Sequence, residues 1–402
     1  MLRQNANGIS VCGISPVARK LLYAALNAWT SPIRVGSQAI AKQFVRNGWE
    51  VAYVSAPITP LSWLRPSKRE FAWRKAEHQK GGGWDLDGKL WHYVPFAWIA
   101  PNNRLPTRSR WLFDHWHSLT APNLLAAVRE QGFGEVDLLI LDTIYQPFWL
   151  DKIRHRRSAV RLADYNAGFP GYGYGAKTSE EKIIRHADYV VTASAALREL
   201  AIAKGAKQAF YMPNGIDFER FEKSNFTRPQ EYGSFKGPIA IFVGAIGEWV
   251  DLSLISACAK ARPDVDFVLI GPGPDNSNRK PLLPNVHFLG LRPPERIPSF
   301  LCHADVGLIP FRSNRLNLLI DHINPLKLYE YLAAGLPVIS TCWDELKRLE
   351  SPIRTATCND SFIAALNESL AESGNSEAYR NFARSADWSI RTAEFIQWAE
   401  QV

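Results

Sequence analysis

The feature that most constrains the fold is an alternation of short apolar runs with amphipathic helical segments, which occurs in both halves of the chain. The runs at 136–142 (VDLLILD) and 266–270 (DFVLI) are mostly apolar, which is typical of strands buried on both faces of a parallel sheet. Helical patterns occur at 195–204 and 252–261. Because strands that alternate with helices form βαβ units, the sequence predicts an α/β fold with parallel sheets.

A polar stretch interrupts this alternation near the middle of the chain. Residues 222–237 (EKSNFTRPQEYGSFKG) combine charges with one proline and two glycines, a composition typical of linkers. The chain of 402 residues is also long for a single core. We therefore predict two doubly wound, Rossmann-like domains at 1–221 and 238–384 that face a central cleft. The last helix, at 385–402, is expected to return to the first domain.

The apolar runs also predict where the remaining strands and helices lie along the chain. In the first half we predict a helix at 35–47 and strands at 9–15, 50–55, 159–163, 189–193 and 208–212. In the second half we predict strands at 238–243, 286–289, 306–310 and 337–340, and helices at 297–302, 325–334 and 385–400. The sequence Asp85-Leu86-Asp87 has the D-x-D spacing of a metal motif, but its neighbouring glycines favour a β-turn.

Charge and cysteine usage restrict the function and the compartment. Residues 1–220 hold 29 Lys/Arg and 18 Asp/Glu, a net charge of +11, whereas residues 221–402 hold 18 and 21, a net charge of −3. A basic first half suggests that an anionic surface faces this domain. The five cysteines form no C-x-x-C pair, which favours reduced thiols in the cytoplasm over a disulfide framework or a zinc site.

The strongest local signal is the segment 324–340 (NPLKLYEYLAAGLPVIS). Pro325 suits the first turn of a helix, whose free N–H groups and Lys327 together offer a site for a diphosphate. Glu330 lies three residues further on the same face, where it can accept hydrogen bonds from ribose hydroxyls. An ordinary surface helix with an i,i+3 ion pair explains these residues equally well.

These residues resemble the donor helix of the GT-B glycosyltransferases, and five further segments match that family in order. They are the phosphate loop 243–247, the strand and turn 268–273, the nucleobase loop 285–292, the strand 304–311, and the pair 190–194 with 212–217. The resemblance covers most of residues 135–345. It implies a nucleotide-sugar donor, no metal ion or other cofactor, and a donor site containing Gly244, Ile246, Gly247, Gly271, Leu291, Arg292, Pro325, Leu326, Lys327 and Glu330.

The sequence also departs from this family. His322 stands where many retaining members carry a second glutamate, so the retaining reaction is in doubt, and His322 either contacts the donor or caps the next helix. A second resemblance rests on 161–164 (RLAD) and points to the membrane-associated glucuronosyltransferases of exopolysaccharide assembly. It implies that Asp164 is the general base of an inverting transfer, whereas the residues alone also allow a turn or cap role. A retaining transferase and a sugar-nucleotide epimerase remain alternatives.

Residues 63–116 suggest how the protein reaches its acceptor, because seven tryptophans are interleaved with basic residues there. Tryptophan suits the headgroup region of a bilayer, and Lys or Arg gains about 1 kcal/mol near an anionic leaflet. The candidate acceptor or membrane residues are Arg34, Trp63, Arg65, Trp73 and Arg74. The run 21–29 is interpreted as an apolar helix face beside them. The alternative is that the tryptophans form core.

Together these patterns lead to a specific expectation of partners. The sequence contains no run of about 18 apolar residues, so no membrane-spanning helix is expected. We expect a UDP-linked donor sugar such as glucuronic acid and a lipid-linked saccharide acceptor. The protein is expected at the inner face of the plasma membrane, without a nucleic-acid partner.

Overall fold

Two sheets, each built mainly of parallel strands, organise the chain. The computed structural model describes residues 18–31, 35–63, 69–102, 107–169, 171–222, 225–273, 283–312, 318–372 and 376–401, without the side chains of 62–72. An eight-stranded sheet lies within 20–211 and a six-stranded sheet within 239–356. The predicted α/β fold with two doubly wound sheets is confirmed, while the limits of the linker stay a prediction.

The first sheet has the strand order β3-β4-β2-β1-β5-β6-β7-β8, and only β3 and β4 pair antiparallel. Its strands are β1 Lys20–Ala25, β2 Glu50–Val54, β3 Gly83–Asp85, β4 Leu90–Tyr93, β5 Glu135–Asp142, β6 Arg154–Leu162, β7 Tyr189–Thr192 and β8 Ala209–Tyr211. The helices of this half are α1 Gly36–Arg46, α2 Pro60–Trp63, α3 Arg69–Gln79, α4 Arg110–His115, α5 Leu124–Glu130, α6 Trp149–Lys152, α7 Tyr174–His186 and α8 Ala195–Ala203. The direction of winding reverses between β1 and β5.

The second sheet has the order β11-β10-β9-β12-β13-β14, with every pair parallel. Its strands are β9 Ile239–Val243, β10 Asp266–Ile270, β11 Val286–Gly290, β12 Val306–Ile309, β13 Val338–Thr341 and β14 Arg354–Ala356. The helices are α9 Leu252–Ala261, α10 Ile297–Leu301, α11 Leu318–Asp321, α12 Leu326–Ala333, α13 Asp344–Arg348, α14 Asn359–Ala371, α15 Ser376–Ser385 and α16 Trp388–Gln401. Winding reverses between β9 and β12, which is where such sheets bind ligands.

The run 21–29 is not a helix face, so that prediction is wrong. Its first part forms β1, whose residues point alternately into two hydrophobic clusters, with Leu22 on one side of the sheet and Tyr23 on the other. Both side chains are 0% exposed. A central parallel strand is apolar on both faces, and periodicity alone does not distinguish such a short run from a buried helix.

The C-terminal helix α16 returns to the first domain, as expected. Phe395 of α16 lies 5.8 Å from Phe44 of α1, ring centre to ring centre, in an edge-to-face contact. Both belong to the cluster that also contains Tyr23. The chain therefore passes between the domains twice, and a β-bridge between Ile216 and Asp387 joins the two crossings.

Some of the remaining predictions agree with the structure and others do not. The strand predicted at 9–15 lies outside the described residues, and β3, β4 and β14 were not predicted. The D-x-D sequence forms the turn between β3 and β4, where Leu86 and Asp87 have φ values of 49° and 57°. The Asp85 carboxylate accepts a hydrogen bond from Trp29 Nε1 at 2.7 Å. The β-turn interpretation is therefore the one the structure supports.

Candidate active site

A cavity of about 360 Å³ lies between the two domains, at the carboxyl ends of strands from both sheets. Asp142 and Asp164 line it from the first domain, Asp142 as the last residue of β5 and Asp164 shortly after β6. Phe311 and Lys327 line it from the second domain, after β12 and in α12. This is where doubly wound sheets bind ligands.

The sequence of α12 fixes how this helix points at the cavity. Pro325 takes an extended conformation, and the helix begins at the next residue, Leu326. Tyr331 is fully buried, and its hydroxyl accepts a hydrogen bond from the Val243 N–H at 2.7 Å. This bond ties the helix to the end of β9. The start of α12, with Leu326 and Lys327, therefore lines the cavity and turns the positive end of the helix dipole toward it.

Lys327 places an ammonium group in apolar surroundings beside this helix end. Its nitrogen lies 4.6 Å from the centre of the Phe311 ring and 5.4 Å from that of Phe242. Among the described residues, no carboxylate forms an ion pair with it. Burial lowers the pKa of Lys327 to about 8, and Glu330 opposes this shift. A desolvated cation without a paired anion favours the binding of a charged ligand group such as a phosphate.

Two glycines let the backbone approach this ammonium group. Gly244 and Gly271 have φ values of +148° and +146°, which side chains rarely adopt. A Cβ atom on Gly244 would lie 3.1 Å from Lys327 Cε, and one on Gly271 would lie 2.0 Å from the Gly244 carbonyl oxygen. The Ile246 N–H donates to the Pro272 carbonyl at 2.8 Å, which fixes the loop after β9. Gly247 continues this loop.

A second cavity of about 430 Å³ adjoins the first and shares Val35 and Leu326 with it. Glu330 and Arg220 line this second cavity. Arg220 Nη1 lies 3.6 Å from Glu330 Oε1, and Arg220 Nη2 donates to the Pro294 carbonyl at 2.6 Å. Burial raises the pKa of the Glu330 carboxyl, while Arg220 and then Lys327 act against this.

Asp164 faces the first cavity next to a buried ion pair. Arg161 Nη1 lies 3.1 Å and 3.2 Å from the two oxygens of Asp142, and both side chains are almost fully buried. Desolvation raises the pKa of Asp164, Arg161 opposes the shift, and Asp142 adds to it. The Asp164 side chain is open to the cleft, so an acceptor hydroxyl can reach it, and a raised pKa makes the carboxylate a better proton acceptor.

Hydrogen bonds continue from this ion pair into the second domain. Arg161 Nη2 donates to Asn214 Oδ1 at 2.8 Å. Asn214 in turn donates its backbone N–H to Asn324 Oδ1 at 3.1 Å and its side-chain amide to the Asn324 carbonyl at 2.7 Å. Because Asn324 immediately precedes Pro325, the buried polar chain connects the first domain to the start of α12.

Comparisons with known proteins agree with this architecture. The family model "Glucuronosyltransferase GumK, N-terminal domain" matches residues 24–163, and the model "Glycosyl transferases group 1" matches residues 237–371. These two matches fall on the two halves that carry the two sheets. The chain is a GT-B glycosyltransferase.

Individual relatives of this glycosyltransferase extend the comparison. A putative teichuronic acid biosynthesis glycosyltransferase, TuaH of Bacillus subtilis, is 28% identical over 238 residues, which are 55% of this chain and 59% of that protein. Sucrose-phosphate synthase from Thermosynechococcus elongatus has a TM-score of 0.67 at 14% identity, over 95% of this chain and 99% of that one. HepE of Anabaena, in complex with UDP and glucose, has a TM-score of 0.62 at 16% identity, over 96% and 100%. The two solved structures share the fold.

The structure places four of the eleven predicted donor residues of this glycosyltransferase in the linings of the two cavities, together with Asp164. Pro325, Leu326, Lys327 and Asp164 line the first cavity, while Glu330 lines the second. Seven predicted donor residues lie outside both linings, namely Gly244, Ile246, Gly247, Gly271, Leu291, Arg292 and His322. Leu291 is exposed, and Arg292 Nε donates to Glu231 at 3.1 Å. His322 stacks on Tyr165 of the first domain.

The residues predicted for the acceptor or membrane side are only partly described. Arg34, Arg65 and the Trp63 side chain lie outside the described parts of the chain. Trp73 is half-buried, and Arg74 donates a hydrogen bond to the Ala56 carbonyl. The other tryptophans of this region divide between the two interpretations. Trp91 and Trp116 are buried, whereas Trp84, Trp98 and Trp111 are exposed.

Sequence reasoning missed several site residues of this glycosyltransferase. It gave no role to Asp142, Asn214 or Asn324, although Asp142 is a charged residue at the end of a buried strand, which is a usable signal. It also missed Arg220, which no local pattern marks. Arg220 lies in the 3-10 turn Phe218–Phe221, and only the tertiary fold brings it to Glu330.

Proposed function

We propose that this glycosyltransferase moves a hexosyl group from a UDP-linked donor to a hydroxyl group of a lipid-linked saccharide, with inversion at the anomeric carbon. The observation that carries the proposal is that Lys327 and Asp164 face one cavity from opposite domains. A donor and an acceptor can therefore meet between a cationic group and a carboxylate. The UDP found in the HepE complex supports UDP as the donor nucleotide.

The donor is proposed to lie along the first turn of α12. Its diphosphate contacts the Lys327 ammonium group and the free N–H groups of the helix, where the dipole favours an anion. Its ribose lies beside Glu330, whose carboxylate accepts hydrogen bonds from the hydroxyls. The glycines at 244 and 271 leave space for the phosphates near the backbone. No metal ion is part of this proposal.

The reaction is a single displacement in which the charges balance. The acceptor oxygen forms a bond to the anomeric carbon while the bond from that carbon to the β-phosphate oxygen breaks. The proton of the acceptor hydroxyl passes to Asp164, and the electron pair of the broken bond leaves with UDP. Lys327 stabilises the negative charge that develops on the departing diphosphate.

The acceptor is proposed to reach the site from an anionic membrane surface. Trp98 and Trp111 are 62% and 58% exposed, Leu61 is exposed, and Arg108 and Arg110 are exposed beside Trp111. Exposed tryptophans with basic neighbours suit the headgroup layer of a bilayer. Among the described residues, no helix is both long and apolar enough to cross a bilayer. Peripheral binding at the inner face of the plasma membrane is the arrangement we propose.

The names of the matched proteins suggest the chemical setting. One family model describes a glucuronosyltransferase domain, and the Bacillus relative is named for teichuronic acid biosynthesis. We therefore propose glucuronic acid as the transferred sugar and a bacterial surface or exopolysaccharide as the product.

The test is a transfer assay with UDP-glucuronic acid and UDP-glucose, with and without a bacterial lipid extract as acceptor. The proposal expects lipid-dependent release of UDP and, by NMR, a β-linked product from an α-linked donor. An α-linked product would instead identify a retaining enzyme. Epimerised donor without any acceptor would identify an epimerase. Sedimentation with anionic and with neutral phospholipid vesicles tests the membrane proposal separately, because only the anionic vesicles should retain the protein.

A further inference from the structure

Arg220 and Glu330 face each other across the second cavity without forming a hydrogen bond. Arg220 Nη1 and Glu330 Oε1 are 3.6 Å apart, which is an ion pair but too long for a hydrogen bond. About a quarter of each side chain is exposed, 26% for Arg220 and 25% for Glu330. The carboxylate oxygens are therefore attracted to the guanidinium group and yet remain able to accept hydrogen bonds from a ligand.

The Arg220 side chain is itself anchored to the second domain. Its Nη2 atom donates to the backbone carbonyl of Pro294 at 2.6 Å, so one side of the guanidinium group is fixed by main chain. The rigid fork of the guanidinium group then fixes the direction of the remaining donors. Glu330 thus faces a cation whose position does not depend on α12.

The other charged groups near the second cavity form no ion pair with Glu330 in the described part of the chain. Lys42 lies 3.0 Å from Asp217 and forms an ion pair with it. Lys327 is on the same helix as Glu330 and lines the first cavity. Glu295 is the remaining acidic residue in the lining. Among the described residues of this lining, Arg220 is the cation that pairs with Glu330.

We propose that Arg220 is a positioning residue that holds the Glu330 carboxylate for the ribose hydroxyls of the donor nucleotide. The inference rests on the proposed function, in which the diphosphate lies at Lys327. Glu330 follows Lys327 by three residues, a rise of about 4.5 Å along the helix, which suits the step from a diphosphate to its ribose. The second cavity, of about 430 Å³, has the volume of a small-molecule site.

Calorimetric titration with UDP and with 2′-deoxy-UDP tests this role. The wild type should bind UDP about tenfold more tightly than 2′-deoxy-UDP, because the missing hydroxyl leaves a carboxylate oxygen unpaired. Arg220→Met should reduce this preference to about twofold or less, as should Glu330→Gln. The double variant should lose no more than either single variant, because the two residues act as one unit. Arg220→Lys, which keeps the charge, should restore part of the preference.

The matched control is Arg296→Met. Arg296 lies near Pro294 and donates to Glu231 at 3.0 Å, away from Glu330, so both affinities should stay at the wild-type value. If Arg220→Met lowers the melting temperature but keeps the full preference for UDP, Arg220 only anchors the turn and the inference is wrong. If the wild type binds UDP without any preference, the inference is wrong as well. If the wild type does not bind UDP at all, the proposed function itself fails.

Discussion

The Tyr165 ring stacks on the His322 ring across the cleft, with ring centres 4.4 Å apart and planes inclined by 17°. Tyr165 directly follows Asp164, and His322 lies in the segment that leads into α12. The same two segments also approach each other at Gly168, where a Cβ atom would lie 3.1 Å from Leu319 Cβ. The segment that carries the proposed base is therefore packed directly against the segment that leads to the donor helix.

Asp164→Asn should lower turnover by about 10²- to 10⁴-fold, because an amide does not accept the acceptor proton. UDP affinity should remain at the wild-type value, since Asp164 belongs to the acceptor side. Steady-state kinetics and calorimetry measure the two effects separately. Asp87→Asn is the matched control, because Asp87 sits in the turn between β3 and β4 at a φ of 57°, which asparagine tolerates. Undiminished turnover in Asp164→Asn would refute the assignment of the base.

UDP affinity should depend on alkaline pH through Lys327. Burial lowers the pKa of Lys327 to about 8, so the ammonium group is charged below this value and neutral above it. We expect the dissociation constant of UDP to be level near pH 7 and to rise above about pH 8. In Lys327→Arg the guanidinium group keeps its charge, so the same titration should be flat up to about pH 9.5. A wild-type curve that is equally flat would contradict this prediction.

Arg161→Met should destabilise the protein strongly, because it leaves the Asp142 carboxylate buried without its cation. Breaking a buried ion pair on one side typically costs about 3–5 kcal/mol of unfolding free energy. The double variant Asp142→Leu with Arg161→Met should recover part of this loss, since no buried charge remains. Urea denaturation followed by tryptophan fluorescence measures both. Equal midpoints for Arg161→Met and the wild type would show that the pair is not important for stability.

Gly271→Ala should lower the melting temperature and weaken UDP binding together. The new Cβ atom would lie 2.0 Å from the Gly244 carbonyl oxygen, so the loop beside Lys327 must move. Gly88→Ala is the control, because Gly88 also has a positive φ, of 72°, but nothing lies within 4 Å of its added Cβ atom. Gly88→Ala should lower the free energy of unfolding by only about 1 kcal/mol and leave UDP binding unchanged. Equal UDP affinity in both variants would argue against a phosphate site at this loop.

The sequence predicts the strands of the second domain better than those of the first, because their apolar runs are more clearly bounded. Runs such as 266–270 are short, apolar and bounded by turn residues, so their strands begin and end where expected. The run 21–29 lacks such bounds and was mistaken for a helix. Within 63–116 the tryptophans whose side chains are described divide between core and surface, which composition alone does not decide.

The residues of the candidate site also differ in how well the sequence predicts them. The motif with Lys327 and Glu330 is local, because both residues lie on one helix, and the sequence therefore reveals it. Arg161, Asn214 and Asn324 are 53 and 110 residues apart along the chain and meet only after folding. No periodic pattern encodes such a contact, which is why the buried polar chain was missed.

The most direct test of the account is calorimetric titration of UDP into the wild type, Lys327→Met and Lys347→Met. Lys347 is an exposed lysine that pairs with Asp344 at 3.1 Å, so it matches the change in side chain without lying in the cavity. The account predicts a loss of about 10- to 100-fold in UDP affinity for Lys327→Met, the effect of removing a charged hydrogen-bond donor, and no change for Lys347→Met. Equal UDP affinity in the wild type and Lys327→Met would contradict the placement of the diphosphate at the tip of α12.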